Sequence, residues 1–146
     1  YQLYGFDVSA GMCAVARDHI PYCVNANAQQ MPFSDNIFDG VFSSLMLQWV
    51  DDTVSVFSEM HRLLKNHGIV VITTLLDGTL QELKAAFAAV DGLPHVSNFA
   101  YAPDLLKQAE AAGFSLAVAK QDKIVEYYPD TIALMRSLQA IGATNK

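Results

Sequence analysis

Ile69-Val70-Val71-Ile72-Thr73-Thr74-Leu75 is a run of seven residues, six of them β-branched, with no alternation of apolar and polar positions. That composition belongs to a strand covered on both faces, as in a parallel sheet. Upstream, Asp51 to Lys65 places Val54, Phe57, Met60, Leu63 and Leu64 three and four residues apart with charges between them, which predicts an amphipathic helix. Gly68 is suited to leaving it. Downstream, Asp77-Gly78 predicts a turn, and Thr79 with Glu82 offers a capping box for another helix.

The same alternation extends outward in both directions. Tyr1 to Phe6 reads as a short strand ending at Asp7, and Ser9 is a suitable N-cap for a helix carrying Met12, Val15 and Ala16. Tyr22 to Val24 and Phe38 to Ser43 read as strands, separated by a polar stretch and by loop residues Pro32, Ser34, Asp35 and Asn36. Pro103 opens a helix that Gly113 closes. Phe114 to Val118 and Ile124 to Tyr128 read as an antiparallel pair. Pro129 opens a last helix with Ile132, Leu134, Met135, Leu138 and Ile141 on its apolar faces and Gly142 as the stop. The pattern predicts an α/β, Rossmann-like doubly wound sheet, mostly parallel, with an antiparallel edge strand.

At 146 residues, 52% of them hydrophobic, the chain has the size of one domain, taken as residues 1–146. No apolar run approaches the roughly 20 residues that span a bilayer, and no signal-peptide pattern precedes the first strand. A cytoplasmic protein without membrane association is expected. A net charge of −6 and the absence of any Lys/Arg run argue against nucleic acid as a partner. Cys13 and Cys23 do not form a C-x-x-C pair and read as core thiols. The histidines at 19, 61, 67 and 95 lack metal-site spacing.

Ligands of open α/β sheets bind beyond the C-terminal strand ends, where an acidic residue after the second strand commonly holds a ribose. Asp7 occupies such a place, although capping the helix near Ser9 would also account for it. The stretch Asn27-Ala28-Gln29-Gln30-Met31-Pro32-Phe33, followed by Phe38-Asp39-Gly40-Val41, resembles the adenine-binding segment and fourth strand of class I methyltransferases, which use S-adenosylmethionine. Ser44-Leu45-Met46-Leu47-Gln48-Trp49-Val50 and Glu59-Met60-His61-Arg62-Leu63-Leu64-Lys65 continue the likeness. Asn27 stands where that family usually has Asp, and Asn66-His67 where it has Pro-Gly.

The resemblance implies cofactor contacts from Asp7, Val8, Met12, Asn27, Ala28, Gln29 and Ser44, with Leu45 nearby. Asp7 would accept from the ribose hydroxyls, the Asn27 side-chain carbonyl from the adenine amino group, and the Ala28 N–H would donate to a ring nitrogen. Met12 suits an adenine face and equally an ordinary core position. Leu75 to Leu83 and Leu134-Met135-Arg136-Ser137-Leu138-Gln139-Ala140-Ile141-Gly142-Ala143 resemble, more narrowly, the malonyl-acyl-carrier-protein O-methyltransferases of biotin synthesis. That implies malonyl-acyl carrier protein as partner, with Gln48, Trp49 and Arg136 as substrate-binding residues and no catalytic base or metal. Arg136 also reads as a solvated helix charge, and Trp49 as a plug between helix and sheet.

The acidic ribose residue normally follows a glycine-rich loop by roughly 20 residues. Only six residues precede Asp7, and no G-x-G occurs in the chain. The expectation is therefore a methyltransferase domain without its first strand and glycine-rich loop. Three consequences are open: direct pairing of the flanking strands, a strand lent by a neighbouring chain in a strand-exchanged oligomer, or a trimmed record of a longer protein. A non-catalytic methyltransferase-like module, and a methyltransferase for another small molecule, are the alternative functions.

Overall fold

The computed structural model describes residues 2–91, 93, 95–115 and 118–140. It divides into two compact units, Tyr1–Asp77 with Ala100–Leu116, and Gly78–Phe99 with Ala117–Lys146.

The first unit holds four strands, β1 (Tyr4–Asp7), β2 (Tyr22–Asn25), β3 (Phe38–Ser44) and β4 (Leu64–Thr73). Its helices are α1 (Ala10–Ala16), α2 (Thr53–Leu63) and, further along the chain, α4 (Ala102–Ala111). Ser9 caps α1 by accepting from the Met12 N–H at 3.3 Å, as its position predicts. Asp52 caps α2 through the Ser55 N–H. Pro103 lies in the first turn of α4, and Gly113, at φ +101°, ends the segment.

All strand pairing in the first unit is parallel. Residues Tyr4 to Asp7 of β1 lie beside Tyr22 to Asn25 of β2, and Gly40 to Ser44 of β3 beside Ile69 to Thr73 of β4. The two pairs are separate sheets, so β1 and β3 do not pair directly. They meet through side chains. The Tyr4 ring lies 5.6 Å from Phe38 and 6.1 Å from Phe33, both edge-on; Tyr4 and Phe38 start the two strands and Phe33 lies in the loop before β3. Beneath them Phe6 and Val41 pack on one hydrophobic cluster built from Ala28, Met31, Leu47, Val56, Phe57, Met60, Leu63 and Leu105. Packing of this kind holds strands together without a shared ladder. The opposite face of β3 and β4 carries Phe42, Ile69 and Val71 in the open.

The strand expected from Ile69 begins earlier, at Leu64. Phe38 pairs with Leu64 and Gly40 with Ile69, so two steps on β3 face five on β4 in a wide irregularity. Inside it His67 adopts φ +67°. A Cβ on Gly68 would come within 2.9 Å of the Leu64 side chain, so only glycine fits there. The replacement of the family's Pro-Gly by Asn66-His67 therefore places a residue with a Cβ in a left-handed position.

The second unit contains α3 (Gln81–Ala88) and α5 (Thr131–Ala140). The capping box does not form: the N-cap of α3 is Leu80, left-handed at φ +56° and without a side-chain cap, which leaves Thr79 one residue too early. The expected antiparallel pair is also not seen, because residues 118–128 carry no strand. A two-stranded hairpin is marginal without a sheet to join, and nothing between Gln121 and Lys123 supplies a tight hairpin turn. Residues 116 and 117 of its first arm, and Ile141 and Gly142 of the expected last helix, lie outside the described residues.

Left-handed geometry costs a non-glycine residue about 1–2 kcal/mol, partly offset by the greater unfolded-state freedom of glycine. His67→Gly should therefore raise stability by about 0.5–1 kcal/mol. Urea unfolding of the two proteins measures this, and an unchanged or lower midpoint contradicts it.

Candidate functional site

Asp7 ends β1, and its Oδ1 accepts from the Ser9 N–H at 2.7 Å. One carboxylate oxygen thus serves the entry to α1, while Oδ2 has no protein partner among the described residues. The helix-start and ligand readings of Asp7 are compatible, because an ionised carboxylate has about four acceptor positions. Next to it Val8 is 77% exposed and Met12 59% exposed. Met12 is therefore a surface side chain, not a core residue.

Asn25 ties the ends of β1 and β2 together. Its Nδ2 donates to the Asp7 carbonyl at 3.0 Å and to the Val8 carbonyl at 2.8 Å, and the Ala26 N–H donates to the Asp7 carbonyl at 3.0 Å. Sequence reasoning missed this residue, although a polar side chain closing the apolar run Tyr22 to Val24 was a usable signal. Below, the free thiols Cys13 and Cys23 are buried, as their sequence context predicts. Burial first, and then the neighbouring Cys13 thiol, pushes the Cys23 thiol above its usual range.

Beyond β2 the chain makes a tight ledge. Asn27 Oδ1 accepts from the Gln29 N–H at 2.9 Å, Asn27 Nδ2 donates to Gln29 Oε1 at 3.3 Å, and the Gln30 N–H donates to the Asn27 carbonyl at 3.0 Å. Ala28 is only 8% exposed, with its methyl in the core, yet its N–H has no protein acceptor among the described residues. Asn27 Oδ1 already serves the backbone, which leaves one lone pair for any outside donor.

A second group of predicted residues follows β3. Ser44 Oγ accepts from Thr73 Oγ1 at 3.0 Å, and Leu45 turns at φ +51° while its N–H donates to the Thr73 carbonyl at 2.9 Å. A leucine held left-handed at a strand end is a strained feature of the sort found at binding sites. Gln48 and Trp49 lie in the 3₁₀ turn Leu47–Trp49. Gln48 accepts from Thr74 Oγ1 at 3.3 Å, and Trp49 is exposed, so it does not plug helix against sheet. Ser43 Oγ is buried without a partner among the described residues, an unspent polar group that the sequence did not single out.

The predicted cofactor residues thus fall at the C-terminal ends of parallel strands, Asp7 to Gln29 after β1 and β2, and Ser44 after β3. Arg136 lies in α5 of the second unit, exposed, and forms no ion pair among the described residues.

The loop from Met31 to Ile37 is fixed by the end of α2. Glu59 Oε2 accepts from the Met31 N–H at 2.8 Å, and Arg62 donates to both Glu59 oxygens, to Asp35 and to the carbonyls of Met31 and Phe33. Arg62 holds the Glu59 carboxyl below its usual range, with the Met31 N–H helping and burial opposing.

Residues 1–72 match the methyltransferase domain family. The chain is 40% identical over 125 residues to a malonyl-[acyl-carrier protein] O-methyltransferase of Laribacter hongkongensis, covering 86% of this chain and 42% of that protein. It is 35% identical over 150 residues to the biotin biosynthesis bifunctional protein BioHC of Teredinibacter turnerae, covering 97% of this chain and 26% of that one. A SAM-dependent methyltransferase structure from Thermotoga maritima superposes with a TM-score of 0.62 at 21% identity, over 77% of this chain and 55% of that chain. The fold is Rossmann-like, as in that solved structure, and residues 1–72 match the methyltransferase domain family. Within it the chain is similar to the malonyl-acyl-carrier-protein O-methyltransferases, and it spans less than half the length of either curated relative.

A carboxyl whose folded value is depressed stabilises the fold fully above its unfolded value and loses that contribution as pH falls through the folded one. For Glu59 the loss begins near its ordinary value of 4.5 and continues below it. Glu59→Gln should weaken the loop at neutral pH but make stability fall less steeply from about pH 4.5 downward. Urea midpoints across that range check this, and parallel acid limbs for the two proteins contradict it.

Proposed function

We propose that the protein carrying this chain is a cytoplasmic S-adenosylmethionine-dependent O-methyltransferase acting on the free carboxyl of malonyl-acyl carrier protein in biotin synthesis. The observation that carries the proposal is the juxtaposition, at adjoining strand ends, of an Asp7 oxygen and an Ala28 N–H that have no protein partner among the described residues. The donor set suits an adenosine: a carboxylate for two hydroxyls, an N–H for a ring nitrogen, and the exposed Val8 and Met12 for apolar contact. The narrower assignment is supported by the relatives named as malonyl-[acyl-carrier protein] O-methyltransferases.

S-adenosylmethionine, when bound, supplies an electrophilic methyl on a sulfonium. A malonyl carboxyl, with an ordinary pKa of about 4, is already ionised at neutral pH, so no general base is needed. The residues of this chain then have the task of alignment. Asp7 and the ledge would hold the nucleoside, Ser44 the methionine half, and Gln48 and Trp49 the acyl group. Arg136 steers the malonyl carboxylate, for which a guanidinium fork is well shaped. Such positioning can supply up to about 7–11 kcal/mol of the barrier.

Calorimetry with S-adenosylhomocysteine on the full-length protein tests the site. Asp7→Ala should weaken binding at least about tenfold, since hydrogen bonds to a charged group contribute about 1.5–3 kcal/mol. Asn27→Asp should tighten it several-fold by making the amino-group contact charge-assisted. Labelled methyl should pass to malonyl-acyl carrier protein. Binding without transfer to any acyl substrate would favour a non-catalytic module, and transfer to another small molecule would overturn the substrate.

A further inference from the structure

We infer that Arg62, set by Glu59, is a positioning residue that shapes the purine ledge at Asn27 to Gln30 without touching the ligand. The inference rests on the cofactor reading above and names a determinant of its selectivity.

The guanidinium carries five N–H donors, and all five are spent. Nε donates to Glu59 Oε1 at 2.7 Å, and the two terminal nitrogens donate to Glu59 Oε2 at 2.8 Å, Asp35 Oδ1 at 2.6 Å, the Phe33 carbonyl at 2.8 Å and the Met31 carbonyl at 3.0 Å. Glu59 Oε2 also accepts from the Met31 N–H at 2.8 Å, so both polar groups of Met31 are clamped by one ion pair. The backbone adds two further ties, from the Asn36 N–H to the Arg62 carbonyl and from the Ile37 N–H to the Leu63 carbonyl.

The ledge is turned locally by the Asn27–Gln29 side-chain and backbone bonds and by the Gln30 N–H to Asn27 carbonyl bond, but these do not tie it to the rest of the unit. Between Asn27 and Phe33 the only internal backbone bonds among the described residues are Gln30 to Asn27 and Phe33 to Met31. Its upstream end is tied to β1 by Asn25 and Ala26, and its downstream end is held at Met31 by the Glu59–Arg62 pair. Within the local turn, those two anchors and the buried Ala28 methyl set how the Ala28 N–H, three residues before Met31, is presented. Lysine cannot replace the fork, because a single ammonium has three donors and no planar array.

The geometry predicts a loss of discrimination as well as of affinity. S-adenosylhomocysteine and its hypoxanthine analogue, S-inosylhomocysteine, share the sugar and amino acid and differ only at the purine edge that the ledge would read. In the full-length protein, Arg62→Ala should weaken S-adenosylhomocysteine about three- to tenfold, the loss of one neutral hydrogen bond, while changing the analogue less than about twofold. The preference ratio should thus fall toward unity, and Arg62→Lys should recover only part of it. Val56→Ala, a fully buried change elsewhere on α2, should lower thermal stability and leave the ratio intact. An Arg62→Ala protein that loses both ligands equally, or that keeps the ratio, overturns the positioning role while the cofactor reading stands. A wild-type protein that binds neither ligand overturns both.

Discussion

Side-chain packing on a shared apolar cluster, to which α2 contributes most, and not a continuous hydrogen-bonded ladder, joins the two strand pairs of the first unit. Phe6 from β1 and Val41 from β3 rest on the cluster that includes Val56, Phe57, Met60 and Leu63 of α2. The placing of the candidate site depends on that arrangement. The strand ends that carry Asp7 and Ser44 are placed by a common floor, and the loop between β2 and β3 is fixed by the polar side chains that α2 extends above it. Helix α2 is thus apolar where it meets the cores of both pairs and ionic where it meets the loop, and Met60 and Glu59, adjacent in sequence, divide these tasks.

Much of this was legible in the residues. The alternation of β-branched runs with three-and-four spaced apolar positions named the strands and helices of the first unit, and Ser9 and Pro103 fixed two helix starts. What sequence could not show was long-range. The early start of β4 depends on how Leu64 meets Phe38 across 26 residues. The failed capping box depends on the left-handed Leu80, a backbone state that no propensity suggests for leucine. The hairpin after Phe114 was read from local apolar content alone, and a strand needs a partner that local content does not supply.

The site shows the same division. Asp7, Asn27 and Ala28 were found because strand ends and a family-like segment mark them. Asn25, Glu59 and Arg62 were missed as site determinants because their contribution is made through backbone carbonyls far away in sequence. In the sequence Glu59 and Arg62 stand in the family-like segment Glu59 to Lys65 and among the polar positions of a helix, which say where solvent is and not which loop they hold. The unsatisfied Ser43 hydroxyl could be recognised only once burial was known.

The bare side of β3 and β4 has a bearing on how such a polypeptide behaves before it is covered. Phe42, Ile69 and Val71 form an adhesive stripe on a two-stranded ladder whose outer rims join no further strand among the described residues. Apolar surface of this kind beside an open strand rim invites self-association while a chain is only partly folded, so this face is where such contacts would begin.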